Sequence, residues 1–165
     1  SLNMPDAGGP ITDFHEHRGE TLTATGVLAE SSNTGTVLIG QTMTDDQRYS
    51  MMRAFGFGQE TGIELPGESA GLLRSSDDWQ GRDRYVTMFG QAYAITAVQE
   101  ASALATIANG GVRITPHIVK SWTNADGTVE VPEGTQPVQV LEATTASQLL
   151  TMMESVVEDD RALWK

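Results

Sequence analysis

The fold of this chain depends on the stretch Leu28-Ala29-Glu30-Ser31-Ser32-Asn33-Thr34-Gly35, because this stretch separates two apolar patterns. Before it, Thr21–Ala29 has the composition of a short helix, and after it Thr34–Met43 resumes an apolar pattern. Serine and asparagine side chains compete with the backbone for hydrogen bonds, so they favour turns and helix caps over helix interiors. Ser31–Asn33 is therefore predicted to form a turn between two helices.

This turn carries the best candidate site in the sequence. A hydroxyl at Ser31 and a carboxamide at Asn33, two residues apart on a turn, can point the same way into a cleft. The hydroxyl can relay a proton, and the amide can donate and accept hydrogen bonds at once. The tripeptide alone is common, and its plainer interpretation is a helix cap.

Three further helices are predicted on either side of the centre of the chain. Thr44 begins one that should turn Met51, Met52 and Phe55 inward and stop at Gly56. Thr96 and Gln99 have capping-box spacing at the start of another, which is expected to be mostly buried because it is largely apolar and Glu100 is its only charge. A Thr145/Gln148 pair predicts the last helix, from about Thr145 to Glu158.

The strand pattern is weaker than the helix pattern. Ile63–Leu65 and Val86–Phe89 are short strand candidates, and Ser1–Glu20 is predicted to be loop because it shows no apolar period. Val112–Trp122 and Thr128–Val131 flank a turn sequence, which predicts one β-hairpin. The predicted fold class is therefore α+β, mostly helical, with short strands and one hairpin.

Composition narrows the function. The 165 residues include 22 acidic and 10 basic side chains, giving a formal net charge of -12, and no cysteine. Such a charge repels phosphate backbones and anionic lipid, so no nucleic-acid partner is expected. The absence of cysteine excludes a disulfide, a thiolate zinc site and a cysteine nucleophile. No apolar run approaches the roughly 18 residues of a membrane span.

Other residues with catalytic side chains have plainer interpretations. Gly67-Glu68-Ser69-Ala70-Gly71 matches the Gly-x-Ser-x-Gly pattern of serine hydrolases, but Pro66 ends the preceding strand candidate and no long helix follows, so a glycine loop is expected. His15-Glu16-His17 could offer ligands to a metal, but the sequence shows no further pair of ligands to complete a site. The stretch is therefore predicted to be a solvated loop. His117 is expected to be a half-buried strand residue. No metal or cofactor is predicted.

Three segments resemble, in the right order, the transpeptidase domain of class B penicillin-binding proteins. Leu28–Gly35 looks like the Ser-x-Asn region of that family, Phe55–Glu68 looks like the segment that follows it, and Phe89–Gly111 looks like the next landmark. Together they cover most of residues 22–118. Ala92 and Ala97 depart from residues common in the family, and both positions look structural.

The resemblance implies a peptidoglycan D,D-transpeptidase, a serine acyltransferase that cross-links stem peptides and is acylated by β-lactams. Ser31 would match the serine of Ser-x-Asn, which moves a proton toward the leaving nitrogen. Asn33 would match its asparagine, which hydrogen-bonds the substrate amide and a lysine. The partners implied are the stem peptide and β-lactam antibiotics, for the full domain only, at the extracytoplasmic face of a bacterial membrane. The resemblance implies an N-terminal membrane anchor for the parent protein, and that anchor is expected to lie outside residues 1–165.

Residues 1–165 are expected to be part of one such domain, because the family's Ser-x-x-Lys and Lys-Thr-Gly motifs do not occur in the sequence. The parent protein would be an enzyme, whereas the chain alone is predicted to be inactive. Its apolar faces would lack their usual neighbours, so self-association or marginal stability is expected. The ending Arg161–Lys165 does not look like the family.

Other functions remain open from the sequence. A non-catalytic interaction module, or pseudoenzyme, could keep this fold and lose the chemistry. A small serine hydrolase using Ser69 is a third interpretation. Within the family, a sensor domain or a carboxypeptidase would share the Ser-x-Asn region, although Phe55–Glu68 favours the class B transpeptidases by resemblance.

Overall fold

A computed structural model describes residues 1–15, 21–131 and 136–159. The described part contains six α-helices, two single turns of 3₁₀ helix and four two-residue strands. The helices are α1 (Ala24–Ala29), α2 (Asn33–Gly40), α3 (Asp45–Ala54), α4 (Asp83–Val86), α5 (Ala97–Ala108) and α6 (Ala143–Asp159). The 3₁₀ turns are Ser76–Asp78 and Thr87–Phe89, and the strands are β1 (Val112–Arg113), β2 (Trp122–Thr123), β3 (Val129–Glu130) and β4 (Val138–Gln139). Short strands among helices confirm the α+β prediction.

Hydroxyl side chains set where the helices begin, much as the sequence predicted. Thr44 caps α3 and Thr96 caps α5, each by accepting a backbone N–H and each completed by a glutamine that bonds back to the cap. These reciprocal bonds satisfy backbone donors that have no partner inside the helix. The last helix differs, because α6 already begins at Ala143, so Thr145 lies inside its first turn and is not the cap.

The N-terminal segment contributes to the core and is not simple loop. Leu2 and Ile11 exchange backbone hydrogen bonds of 2.8 Å in an antiparallel bridge. Ile11 is fully buried and packs in one cluster with Ala7, Val37 of α2 and Tyr85 of α4. The sequence analysis missed this because the apolar residues are isolated among glycines and prolines, with no period to reveal them.

Two strand predictions were wrong. Ile63–Leu65 lies in irregular backbone, and Val86–Phe89 belongs to α4 and the 3₁₀ turn that follows it. Short apolar runs are compatible with both helix and strand, and a strand also needs a hydrogen-bonding partner. Val86 instead packs as a buried residue at the end of α4.

The hairpin prediction is confirmed over a shorter span. β2 pairs with β3 in antiparallel register, Trp122 opposite Glu130, across a turn that ends at Gly127. β1 does not extend into this hairpin. It pairs instead with β4, Val112 opposite Gln139, so the hairpin is an excursion between the two strands of a separate ladder.

The orientation of α3 differs from the prediction. Met51 is exposed and Met52 and Phe55 are only partly covered, whereas Arg48 is 7 % exposed. The Arg48 guanidinium lies 5.6 Å from the ring of buried Trp79 and pairs with Asp45. The contact with the indole and the pairing with Asp45 offset part of the cost of burying this guanidinium, whose Nε and Nη1 have no hydrogen-bond partner among the described residues.

The helix α5 is not mostly buried. Its buried residues are Gln99 and Thr106, whereas most of its apolar residues are exposed, namely Ala97, Ala101, Leu104, Ala105 and Ala108. α6 packs against both α1 and α5, which brings the helices on either side of the hairpin together. Among the described residues, no helix is long and apolar enough to cross a bilayer.

Candidate functional site

The turn predicted at Ser31–Asn33 is present, and its first half ends α1. Ser31 is exposed and has a backbone φ of +51°, in the left-handed region. Its N–H donates to the carbonyl of Leu28 at 3.1 Å, and the N–H of Ser32 donates to Val27 at 3.0 Å. These two bonds form a Schellman motif, in which glycine usually occupies the left-handed position. Here a serine occupies it and displays its hydroxyl at the surface.

The second half of the turn begins α2. Ser32 is 3 % exposed, and its Oγ accepts the N–H of Gly35 at 3.0 Å, so it is the N-cap of this helix. A β-carbon at Gly35 would lie 2.6 Å from Val27, closer than van der Waals contact allows. The glycine therefore lets α2 start directly against α1, with a corner of only three residues.

Asn33 is the first residue of α2 and is half-buried. Its Nδ2 donates to the carbonyl oxygen of Thr12 at 3.0 Å. A carboxamide offers two N–H donors and an acceptor oxygen, so this single contact orients the group without using all of its capacity. Ser31 and Asn33 are thus held on one corner, the first at the surface and the second tethered to the segment before α1.

Asp13 is the residue of this corner that the sequence did not reveal. Its Oδ1 accepts the N–H of Thr34 at 2.8 Å and the hydroxyl of Ser32 at 3.2 Å, and its Oδ2 accepts the hydroxyl of Thr34 at 2.6 Å. Asp13 precedes Thr34 by 21 residues in the sequence, and no local pattern links the two. Only the general preference of aspartate for helix N-termini could have suggested it.

The other catalytic candidates do not join this corner. Ser69 is exposed in irregular backbone, and its Oγ accepts the N–H of Gly71 at 3.2 Å. No long helix follows it, so the glycine-loop interpretation fits and the nucleophile elbow does not. His117 is exposed and lies outside any strand, contrary to the prediction. In the His15-Glu16-His17 stretch, Glu16 and His17 lie outside the described residues.

A separate groove of 650 Å³ runs along α5. Its lining is mainly apolar and comes from α5, Ile63 and the segment from Val112 to His117, and it includes neither Ser31 nor Asn33. The groove is the place where the exposed alanines of α5 are found, so the apolar face of that helix is open in the described structure.

Comparison with known proteins shows the family to which this chain belongs. Residues 3–164 match the family described as the penicillin binding protein transpeptidase domain. The chain belongs to that family, and the resemblance seen in the three sequence segments is confirmed.

Individual relatives agree in sequence and in fold. Penicillin-binding protein PbpB of Mycolicibacterium smegmatis is 40% identical over 160 residues, which is 97% of this chain and 24% of that protein. A peptidoglycan synthetase from Bifidobacterium adolescentis is 40% identical with a TM-score of 0.90, covering 95% of this chain and 29% of that one. Penicillin binding protein 3 of Mycobacterium tuberculosis, complexed with aztreonam, is 37% identical with a TM-score of 0.88, covering 92% of this chain and 34% of that one. The chain therefore spans about a quarter to a third of these relatives.

Proposed function

We propose that this chain is part of a peptidoglycan D,D-transpeptidase that works through a serine acyl-enzyme. The observation that carries the proposal is the family match over residues 3–164, with a Ser-x-Asn sequence placed on the exposed corner at the start of α2. Residues 1–165 would form part of one transpeptidase domain. The Ser-x-x-Lys nucleophile and the Lys-Thr-Gly strand would lie elsewhere in a longer protein.

The chemistry assigns different roles to the two candidate residues. The surface position of the Ser31 hydroxyl suits a group that passes a proton to the departing nitrogen while the acyl-enzyme forms. The half-buried and tethered Asn33 suits a group that orients the substrate amide, because an oriented carboxamide can donate and accept without reorganising. Neither residue is a nucleophile in this proposal.

The partners follow from the same proposal. The substrate would be a peptidoglycan stem peptide, and β-lactams would acylate the same serine nucleophile. The Mycobacterium tuberculosis relative, 37% identical to this chain, forms a complex with aztreonam, which supports the binding of β-lactams. The protein would act at the extracytoplasmic face of the bacterial membrane, where its substrate lies.

The test uses the complete gene product that contains these residues and a labelled penicillin. Mass spectrometry should find one penicilloyl adduct on a serine outside residues 1–165. Ser31→Ala and Asn33→Ala should each slow acylation by about 100-fold or more, as expected when a proton-transfer or oriented hydrogen-bonding group is removed.

Ser69→Ala is the matched control. It removes a hydroxyl from an exposed loop residue and should leave acylation unchanged. A complete protein that takes no adduct would contradict the transpeptidase proposal and favour a non-catalytic module of the same fold. An adduct lost in Ser69→Ala alone would favour the serine-hydrolase interpretation.

The 165-residue chain by itself is proposed to be inactive. It has no Ser-x-x-Lys and no Lys-Thr-Gly sequence, so it lacks both the nucleophile and the usual cation for the substrate carboxylate. The same labelled penicillin should therefore leave its mass unchanged. Any covalent adduct on the chain would contradict this part of the proposal.

Self-association of the isolated chain is also part of the proposal. The open apolar groove along α5 supports it, because apolar side chains without a packing partner favour association in water.

A further inference from the structure

Asp13 lies in the segment before α1, and its carboxylate accepts hydrogen bonds from the first turn of α2. It receives the N–H of Thr34, the second residue of α2, which has no partner within the helix. It also receives the hydroxyls of Ser32 and Thr34, so three donors of the first turn converge on one side chain. Asp13 and the N-cap Ser32 together hold the start of α2.

The same segment also holds Asn33. The carbonyl of Thr12, the residue before Asp13, accepts the Asn33 amide at 3.0 Å. Immediately before it, Ile11 is fully buried and bonded to Leu2 through the backbone. Residues 12–13 are therefore attached to a fixed point in the core, and they can transmit that rigidity to the corner.

We infer that Asp13 is a positioning residue for the Ser31–Asn33 corner, and this inference rests on the proposed transpeptidase function. Ser31 occupies a left-handed conformation that a non-glycine residue adopts only when its surroundings impose it. The imposed geometry depends on where α2 starts, because Ser32 both closes the Schellman motif of α1 and caps α2. Asp13 fixes that starting point.

The charge of Asp13 is suited to this position. Its carboxylate lies at the positive end of the α2 dipole, where an anion is favourable. The chain carries a formal net charge of -12, which includes Asp13, so this carboxylate brings no general electrostatic gain. The stabilisation that this carboxylate provides is local and comes from the three hydrogen bonds that it accepts at the start of α2.

Loss of Asp13 should therefore displace the corner without touching the reacting atoms. The Thr34 N–H and the Ser32 hydroxyl would lose their acceptor, and the first turn of α2 would be free to shift. Displacement of a catalytic group by about 1 Å can cost about 100-fold in rate. The expected effect falls on the rate of acylation at saturating β-lactam, more than on the concentration that gives half saturation.

The experiment compares Asp13→Ala and Asp13→Asn with Thr44→Ala in the complete gene product. Thr44 caps α3 through the same kind of bond and lies outside the corner, so its loss reports what a missing helix cap does to the protein in general. Acylation by a labelled penicillin and thermal unfolding are measured for each variant. Asp13→Ala should slow acylation by about ten-fold to 100-fold, Asp13→Asn by less, and Thr44→Ala by less than two-fold.

Equal slowing by Asp13→Ala and Thr44→Ala would show a merely structural role and overturn the inference, as would unchanged acylation in Asp13→Ala. A crystal structure of Asp13→Ala decides the geometry independently of activity. We expect the Asn33–Thr12 contact to be lost or Ser31 to leave the left-handed region, and an unchanged corner would overturn the inference. If the wild-type protein is not acylated, the proposed function fails, and this crystal structure still decides whether Asp13 positions the corner.

Discussion

At the scale of single residues, the candidate site depends on a serine in an unusual backbone conformation. Ser31 takes the left-handed position that closes α1, where glycine is the ordinary choice. Glycine would fit the backbone and carry no hydroxyl. A serine at this position adds a surface hydroxyl that the ending of the helix does not require.

The first prediction concerns the cost of this conformation. Ser31→Gly should leave the free energy of unfolding unchanged or raise it by up to about 1 kcal/mol, because glycine adopts positive φ without a steric penalty. Ser31→Val should lower it by about 1–3 kcal/mol, because a β-branched residue is strained there. Urea unfolding of both variants measures the difference. Equal stabilities would mean that the left-handed geometry is not imposed on this residue.

A second residue-scale feature is the carboxylate of Glu68, which closes the loop between α3 and the first 3₁₀ turn. Partial burial favours its neutral form, but its acceptance of the Thr61 hydroxyl, the Thr61 N–H at 2.8 Å and the Gly62 N–H at 3.0 Å outweighs this and lowers the pKa of Glu68. The folded protein thus binds this proton more weakly than the unfolded chain does.

The second prediction follows from the lowered pKa of Glu68. The stabilisation from Glu68 is fully present above its unfolded pKa and is lost as the pH falls through the lower folded pKa, in the range below about pH 4. Glu68→Gln should therefore be less stable than the wild type at pH 7, and the gap should narrow as the pH is lowered. Denaturant unfolding across this pH range measures it, with the exposed Glu60→Gln as control. A gap that is constant with pH would contradict the assignment.

What the sequence reveals at this scale depends on sequence separation. Ser31 and Asn33 are neighbours on a turn, and a contiguous pattern identifies them. Asp13 reaches the same corner from 19 residues before Ser32, and only the folded chain brings them together. The pairing of Ile11 with Leu2 was likewise not predictable from the sequence, because isolated apolar residues in a glycine-rich segment have no period.

At the scale of elements, capping was predictable in part and burial was not. The Thr96/Gln99 box was predicted from its spacing and is present, and Thr44 was predicted as a cap without its partner Gln47. The Thr145/Gln148 pair has the same spacing but lies inside α6, so spacing alone does not decide where a helix begins. Which face of a helix is buried depends on its neighbours. The open apolar face of α5 and the buried Arg48 of α3 therefore both departed from the expected pattern.

The two capping boxes differ in one respect that a mutation can expose. Gln47 has an exposed capping contact, whereas Gln99 is 1 % exposed. Besides bonding to Thr96, the Gln99 amide nitrogen donates to the carbonyls of Gln59 at 2.7 Å and Ala70 at 2.9 Å. It also reaches the carbonyl of Gly56 at 3.4 Å, so it joins the start of α5 to three points between α3 and the first 3₁₀ turn.

The third prediction compares these two glutamines. Gln99→Ala should lower the free energy of unfolding by about 2–3 kcal/mol, because it leaves buried carbonyls and a backbone N–H without partners. Gln47→Ala should cost less than about 1 kcal/mol, the usual value of an exposed cap. Chemical denaturation measures both. Similar losses in the two variants would mean that the loop contacts of Gln99 add nothing to its capping role.

At the scale of the whole molecule, the chain combines a strongly acidic composition with an open apolar groove. The net charge of -12 opposes association, whereas the groove along α5 favours it. Charge repulsion is screened by salt and the apolar attraction is not, so association should increase with ionic strength. Composition predicts the charge repulsion, whereas the apolar groove is seen only in the arrangement of the helices.

The fourth prediction tests which face associates. Ala105 lines the groove and is exposed, so Ala105→Glu places a charge in the proposed contact and should shift the isolated chain toward monomer. Gln148→Glu adds the same charge on the exposed surface of α6 and should change association far less. Sedimentation or light scattering over a series of concentrations measures both. A wild-type chain that is monomeric throughout, or equal effects of the two variants, would contradict association through this groove.

The packing of Tyr85 against residues 5–11 has a consequence for synthesis. The Tyr85 hydroxyl donates to the carbonyl of Pro5 at 2.9 Å across 80 residues, and Tyr85 covers Ile11 in the same cluster. A ribosome adds about 5–20 residues per second, so Pro5 and the residues around it are followed by about 4 to 16 s of synthesis before Tyr85 has been translated. Throughout that interval Ala7 and Ile11 lack the Tyr85 side chain that packs in their cluster, and they are accessible to a chaperone.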